Sequence, residues 1–132
     1  MSQAANLSKV LADVFGYAKF RQGQEQVIEA VQSGRDALVL MPTGGGKSLC
    51  YQLPAIAGTG VSIVISPLIS LMQDQVESLR TMGVAAAALH NGLSAEDQQS
   101  VTQDAANGAL RLLYVSPERA MQTYFVRLLQ QW

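Results

Sequence analysis

Leu38-Val-Leu-Met-Pro-Thr-Gly-Gly-Gly-Lys-Ser-Leu-Cys-Tyr-Gln52 decides how this chain folds. Ala37 to Met41 is an apolar run of strand length that stops at Pro42. Gly44, Gly45 and Gly46 follow, then Lys47 and Ser48, and Leu49 to Ala57 has helical composition. Strand, glycine loop, lysine, hydroxyl and helix make the layout of a phosphate-binding loop. Glycines let successive backbone N–H groups turn into one hollow. A helix start adds unpaired N–H groups and the positive end of its dipole. Lys47 then reaches the β- and γ-phosphates of a nucleotide. The Ser48 hydroxyl completes the oxygen shell of a magnesium ion. Met41 stands where the strict pattern has its first glycine. A glycine-rich turn that merely carries a lysine is the bland alternative, and the flanking strand and helix argue against it.

Working outward, alternating apolar strands and amphipathic helices are expected on both sides of the loop. Leu7, Val10, Leu11 and Val14 fall at helical spacing, and Gly16 ends that helix. A second helix is expected from Gln24 to Gly34. After the loop come a strand over 61–65, a helix from Leu68 to Gly83 and an alanine-rich strand over 84–89. An Asn91-Gly92 turn, a helix capped by Ser94 and Asp97, a strand over 110–115 and a last helix toward Gln130 follow. Pro54 is expected to kink or shorten its helix. The pattern predicts an α/β fold with a parallel sheet and helices on both faces. In such a sheet ligands bind along the edge shared by the strand C-termini.

The chain has 132 residues, room for one domain or less, and 48% of them are hydrophobic, enough for a core. Nine Lys and Arg stand against ten Asp and Glu, a net charge of −1 that gives no global field for a polyanion. Any nucleic-acid contact must therefore be local. Ser66-Pro67 and Ser116-Pro117 each close a strand and open a helix, serine as N-cap and proline as first helical residue. Tidy helix starts explain them as isolated features. On the ligand edge, the same N–H groups and hydroxyls are able to hold phosphates in a row, with Arg119 adding a charge-assisted bond. Ahead of the loop, Tyr17, Arg21 and Gln24 carry the groups that stack on a base and read adenine by a bidentate amide. An ordinary surface corner fits the same spacing. Cys50 is alone, as suits a reducing cytosol, and is expected to be a core residue. His90 is expected to be structural or solvent-facing, without a metal. No secretory leader or membrane-length apolar run stands out.

Five stretches in order, Phe15-Gly-Tyr17, Phe20-Arg-Gln-Gly-Gln24, Met41 to Ser48, Ser66 to Gln75 and Tyr114 to Arg119, resemble the RecQ family of superfamily-2 DNA helicases. The resemblance runs from about residue 7 to the end. It implies a P-loop NTPase fold of the RecA type, incomplete here, with a helical segment over 1–34 carrying the adenine motif and a partial motor domain over 35–132. It implies ATP and Mg²⁺ as cofactors, bound through Tyr17, Arg21, Gln24, Met41, Pro42, Thr43, Gly44, Gly45, Gly46, Lys47 and Ser48. Lys47 and Ser48 take the catalytic roles and Ser48 the metal. Single-stranded DNA is implied along Ser66, Pro67, Ser70, Gln73, Ser116 and Arg119. The family implies 3′-to-5′ translocation, work in DNA repair and recombination, and a cytoplasmic setting in the bacterial cytosol or nucleoid.

Gln22 stands where the family has proline. The family's Asp-Glu-x-His acid pair, which holds magnesium and orients water, is not among these residues. The chain is therefore expected to be an N-terminal piece of a RecQ-like helicase, poorly soluble and inactive on its own. A nucleotide- or DNA-binding module without catalysis is the alternative. A small-molecule kinase is disfavoured, because no acceptor pocket or arginine-bearing lid follows the loop.

Overall fold

The computed structural model describes residues 3–41 and 46–131. The chain forms two compact units, one up to Thr59 and one from Gly60 onward.

Three helices make the first unit. Helix α1 spans Gln3–Val10 and runs into a wider π-helical turn, Leu11–Phe15. Gly16 ends it at φ 74°, a left-handed conformation that glycine adopts without strain. Helix α2, Gln24–Gln32, starts after Gly23, itself at φ 87°. Helix α3 is Leu49–Ala57, as its composition predicts. Pro54 sits inside α3, yet the helix continues for three more residues, and Gly58 N–H donates to the Pro54 carbonyl at 2.9 Å. Both α1 and α2 pack on α3. Leu7, Leu11, Ile28, Leu49 and Leu53 bury their side chains in the shared core. Each contributes about 1.5–3 kcal/mol of burial free energy.

The expected strand over 37–41 is not formed. Residues 35–41 carry no regular structure, and Leu38 and Leu40 are 91% and 89% exposed. A strand exists only through hydrogen bonds to a neighbour, and no described strand pairs with this one.

The second unit alternates strand and helix: β1 Ser62–Ile65, α4 Ile69–Thr81, β2 Ala86–Leu89, α5 Ala95–Ala106, β3 Leu112–Val115, then α6 Pro117–Ala120 and α7 Thr123–Gln131. The last two replace the single helix expected after Pro117, broken at Met121 and Gln122. The strands are parallel in the order β1-β3-β2, with Ile63 and Ala87 both in register with Leu113. Central β3 is buried throughout, as a parallel strand covered on both faces must be. Ala87, Leu89, Leu113 and Val115 share a core with Ala105 of α5 and Phe125 of α7. Helix α4 packs on β2 and buries Met72, Val76 and Leu79. Ser94 caps α5 as expected, its Oγ accepting from Asp97 N–H at 3.1 Å. Among the described residues no helix is long and apolar enough to cross a membrane.

Candidate functional site

In the first unit the residues expected to face a base and the end of the glycine loop meet through one side chain. Gln24 opens α2 and is only 3% exposed. Its Oε1 accepts from Arg21 N–H at 2.7 Å, and its Nε2 donates to the Gly46 carbonyl at 3.1 Å. Twenty-two positions of sequence are thus closed by one amide. Gly46 has φ 81°, and a Cβ there would run into Gln24 Nε2. The positive φ favours glycine, and a Cβ would also push the Gln24 amide off the Gly46 carbonyl. Gly23, at φ 87°, lets α2 start in this place, with the Met41 side chain beside it. The role of Gly23 was not read from the sequence. A glycine one residue before a helix start was the available signal.

Lys47 and Ser48 form the entry turn of α3. Cys50 N–H donates to the Lys47 carbonyl at 3.1 Å and Gln52 N–H to the Ser48 carbonyl at 2.9 Å. Lys47 is exposed and Ser48 half-buried, so the ammonium reaches solvent beside the start of the helix. A helix N-terminus with an adjacent cation favours an anion. Tyr17 presents its ring to solvent at 55% exposure, and Arg21 is exposed. Cys50 is buried, and desolvation pushes its thiol above the ordinary range. Pro42, Thr43, Gly44 and Gly45 lie outside the described residues.

In the second unit the two Ser-Pro junctions stand side by side. Ile65 and Val115 are register partners, so β1 and β3 deliver Ser66 and Ser116 to one sheet edge. Ser66 N–H donates to the Val115 carbonyl at 3.1 Å, and Ser116 N–H to the Leu89 carbonyl at 3.3 Å. Ser116 caps α6 as expected, with Oγ accepting from Arg119 N–H at 3.4 Å, and it is buried. Ser66 does not cap α4. Leu68 is the N-cap, and Ser66 Oγ accepts from Leu68 N–H at 3.3 Å. The hydroxyl closes a local turn two residues on, which competes with a cap. Pro67 and Ser70 are exposed near that helix start. Gln73 lies further along α4, where it lines a groove with Glu77 and Arg80. His90 is buried beyond β2 and so not solvent-facing, with Nδ1 accepting from Gly92 N–H at 3.0 Å. Among the described residues no cluster of His, Cys, Asp or Glu is suited to a metal.

Comparison with known proteins adds the following. Residues 21–131 match the family model described as DEAD/DEAH box helicase. The chain is 53% identical over 120 residues to the ATP-dependent DNA helicase RecQ of Haemophilus influenzae, covering 91% of this chain and 19% of that protein. It is 44% identical over 131 residues to the RecQ helicase of Synechocystis sp., covering 99% of this chain and 27% of that one. Its fold is similar to that of the DUF1998 helicase MrfA bound to DNA, with a TM-score of 0.76 at 19% identity, over 99% of this chain and 20% of MrfA. The chain spans about a fifth to a quarter of the length of these relatives.

Proposed function

We propose, from the premise that the chain belongs to the DEAD/DEAH box helicase family, that it is the nucleotide-binding part of a RecQ-type, ATP-dependent DNA helicase motor. The bond from Gln24 to the Gly46 carbonyl carries this reading, because it ties an adenine-type amide to a phosphate loop in one small unit. Tyr17 and Arg21 flank the base. Lys47, with the N–H groups at the start of α3, takes the β- and γ-phosphates. The half-buried Ser48 hydroxyl on that turn suits a magnesium ion held jointly with phosphate oxygens. The metal, when bound, neutralises charge on the transferred phosphate. The adjacent junctions at Ser66 and Ser116, with Arg119, take the backbone of single-stranded DNA. The same reading extends, as proposals about the whole helicase, to translocation in the 3′-to-5′ direction, a part in DNA repair and recombination, and a cytoplasmic setting.

Binding of a fluorescent ATP analogue with Mg²⁺ tests the nucleotide site. Lys47→Ala and Gln24→Ala should each weaken it by tenfold or more, about 1.4 kcal/mol, and ATP should compete better than GTP. Equal binding by all three proteins would sink the assignment.

A second reading, binding without turnover, has its own support. β1, β2 and β3 run into Ser66, His90 and Ser116, so none of them delivers a carboxylate pair to the edge. Positioning the attacking water needs such a group. A steady-state ATPase assay with single-stranded DNA decides between the two readings. DNA-stimulated turnover lost in Lys47→Ala would reject the non-catalytic one.

A further inference from the structure

β2 is an edge strand of the second unit, with β3 on its inner side and no described strand on its outer side. Successive residues of a strand turn their backbone groups to opposite sides. The Ala85 and Leu89 carbonyls accept from Arg111 N–H and Ser116 N–H, on the β3 side. Ala87 shares that direction, and Ala86 and Ala88 turn their groups outward. The Ala86 carbonyl has a substitute for a neighbouring strand, since Arg80 Nε donates to it at 2.8 Å. The N–H and C=O of Ala88 meet no partner among the described residues. Ala88 is also the one residue of β2 that keeps part of its surface open. Edge strands are commonly guarded by Lys or Pro, and Ala86-Ala-Ala-Leu89 has neither.

A trough of about 750 Å³ runs along this edge, between α4 and α5. The connection from β1 to β2 passes over β3, and the one from β2 to β3 runs back the other way. Right-handed crossovers therefore put α4 and α5 on opposite faces of the sheet. The two helices stand as walls on either side of an open strand edge. Val76 of α4 and Val101 of α5 give the trough apolar surface. Its exposed charges are mostly acidic, with Glu77 on the α4 wall and Asp97 and Asp104 on the α5 wall, against Arg80 alone. Asp97 and Asp104 lie two helical turns apart and so share one face of α5. His90 ends the strand with Nδ1 accepting from Gly92 N–H, and its Nε2 is closed off from solvent and offers nothing to a ligand in the trough.

We propose that this trough docks an extended, lysine- or arginine-bearing segment of a partner protein, added to the sheet as a strand beside β2. The backbone of the segment pairs with Ala88, the donor and acceptor that the sheet itself leaves open. Side chains of an added strand alternate between the two walls. Basic residues then meet Glu77 on one side and Asp97 and Asp104 on the other. Charge complementarity selects this occupant, because an acidic segment or a nucleic-acid backbone is repelled by the same three carboxylates. None of the lining residues belongs to the nucleotide site of the first unit, so the trough recruits a partner independently of ATP.

The test is fluorescence anisotropy of the full chain with a labelled Lys-Val-Lys-Val-Lys-Val peptide and two controls. One control has Glu in place of each Lys. The other keeps the sequence but is N-methylated at every backbone nitrogen. The parent peptide should bind and the Glu peptide should not. N-methylation, which keeps the charge and removes the pairing groups, should weaken binding by about tenfold. The double change Glu77→Gln with Asp104→Asn should weaken the parent peptide by about fivefold. Arg80→Ala uncovers the Ala86 carbonyl and removes a like charge, so it should tighten binding. Unchanged circular dichroism of the variants checks the fold. No binding of the parent peptide, equal binding of the Glu peptide or an unchanged affinity in the double variant overturns the site. Equal binding after N-methylation leaves only attraction between charges and overturns the added strand.

Discussion

Ala37-Leu-Val-Leu-Met41 and Leu112-Leu-Tyr-Val115 are nearly interchangeable as text, and they end in opposite states. Leu112 to Val115 is wholly buried, with a strand on either side. Leu38 and Leu40 lie open to solvent and pair with no described strand. Apolar composition of strand length selects a segment for burial. Only a neighbour, brought from elsewhere in the chain, makes it a strand.

Hydrogen exchange should separate the two segments most widely. Amides of 112–115 should open only with global unfolding, while those of 38–41 should exchange with protection of about 0 kcal/mol. Strong protection at Leu38 and Leu40 would erase the contrast. Leu113→Ala should cost about 2–5 kcal/mol in urea melts, and Leu38→Ala less than about 0.5 kcal/mol. Similar losses from both would mean that 37–41 is buried in solution. At the ends of β1 and β3 the difference shrinks. Ser116→Ala removes a cap and should cost about 1 kcal/mol, against a few tenths for Ser66→Ala, whose hydroxyl closes only a two-residue turn. A reversed order would show that Ser66 caps α4 after all.

Cys50, in the first turn of α3, gives the smallest effect. Its folded-state thiol is held above the unfolded value by burial. That term is fully present below the unfolded thiol pKa and fades as pH rises through the folded one. Iodoacetamide near pH 8 should label Cys50 slowly in the native chain and fast in urea. Equal rates would place the start of α3 in solvent.

The helices and three of the four expected strands were legible because their signals are local. The Gly16 stop and the Ser94 cap are set within a few residues, and α3 matched to the residue. What the sequence hid was non-local. Nothing within 37–41 says that no described strand pairs with it. Nothing in Ser66-Pro67 distinguishes it from Ser116-Pro117, yet one follows an edge strand and the other a central strand gripped on both sides. The break at Met121 and Gln122 was also invisible, because no glycine or proline marks it. At the site, Lys47 and Ser48 could be placed from text, whereas the reach of Gln24 to Gly46 needed the fold.

That reach also fixes how one amide is presented. Each end of the Gln24 amide is engaged, by Arg21 N–H and by the Gly46 carbonyl. An amide oxygen carries two lone pairs and an amide nitrogen two protons, so these bonds orient the side chain without using up its capacity to accept and donate. The carbonyl it holds is the one next to Lys47. Any ligand that turned the Gln24 amide would therefore loosen the backbone beside Lys47, and by linkage a ligand at either place would alter affinity at the other by the same factor.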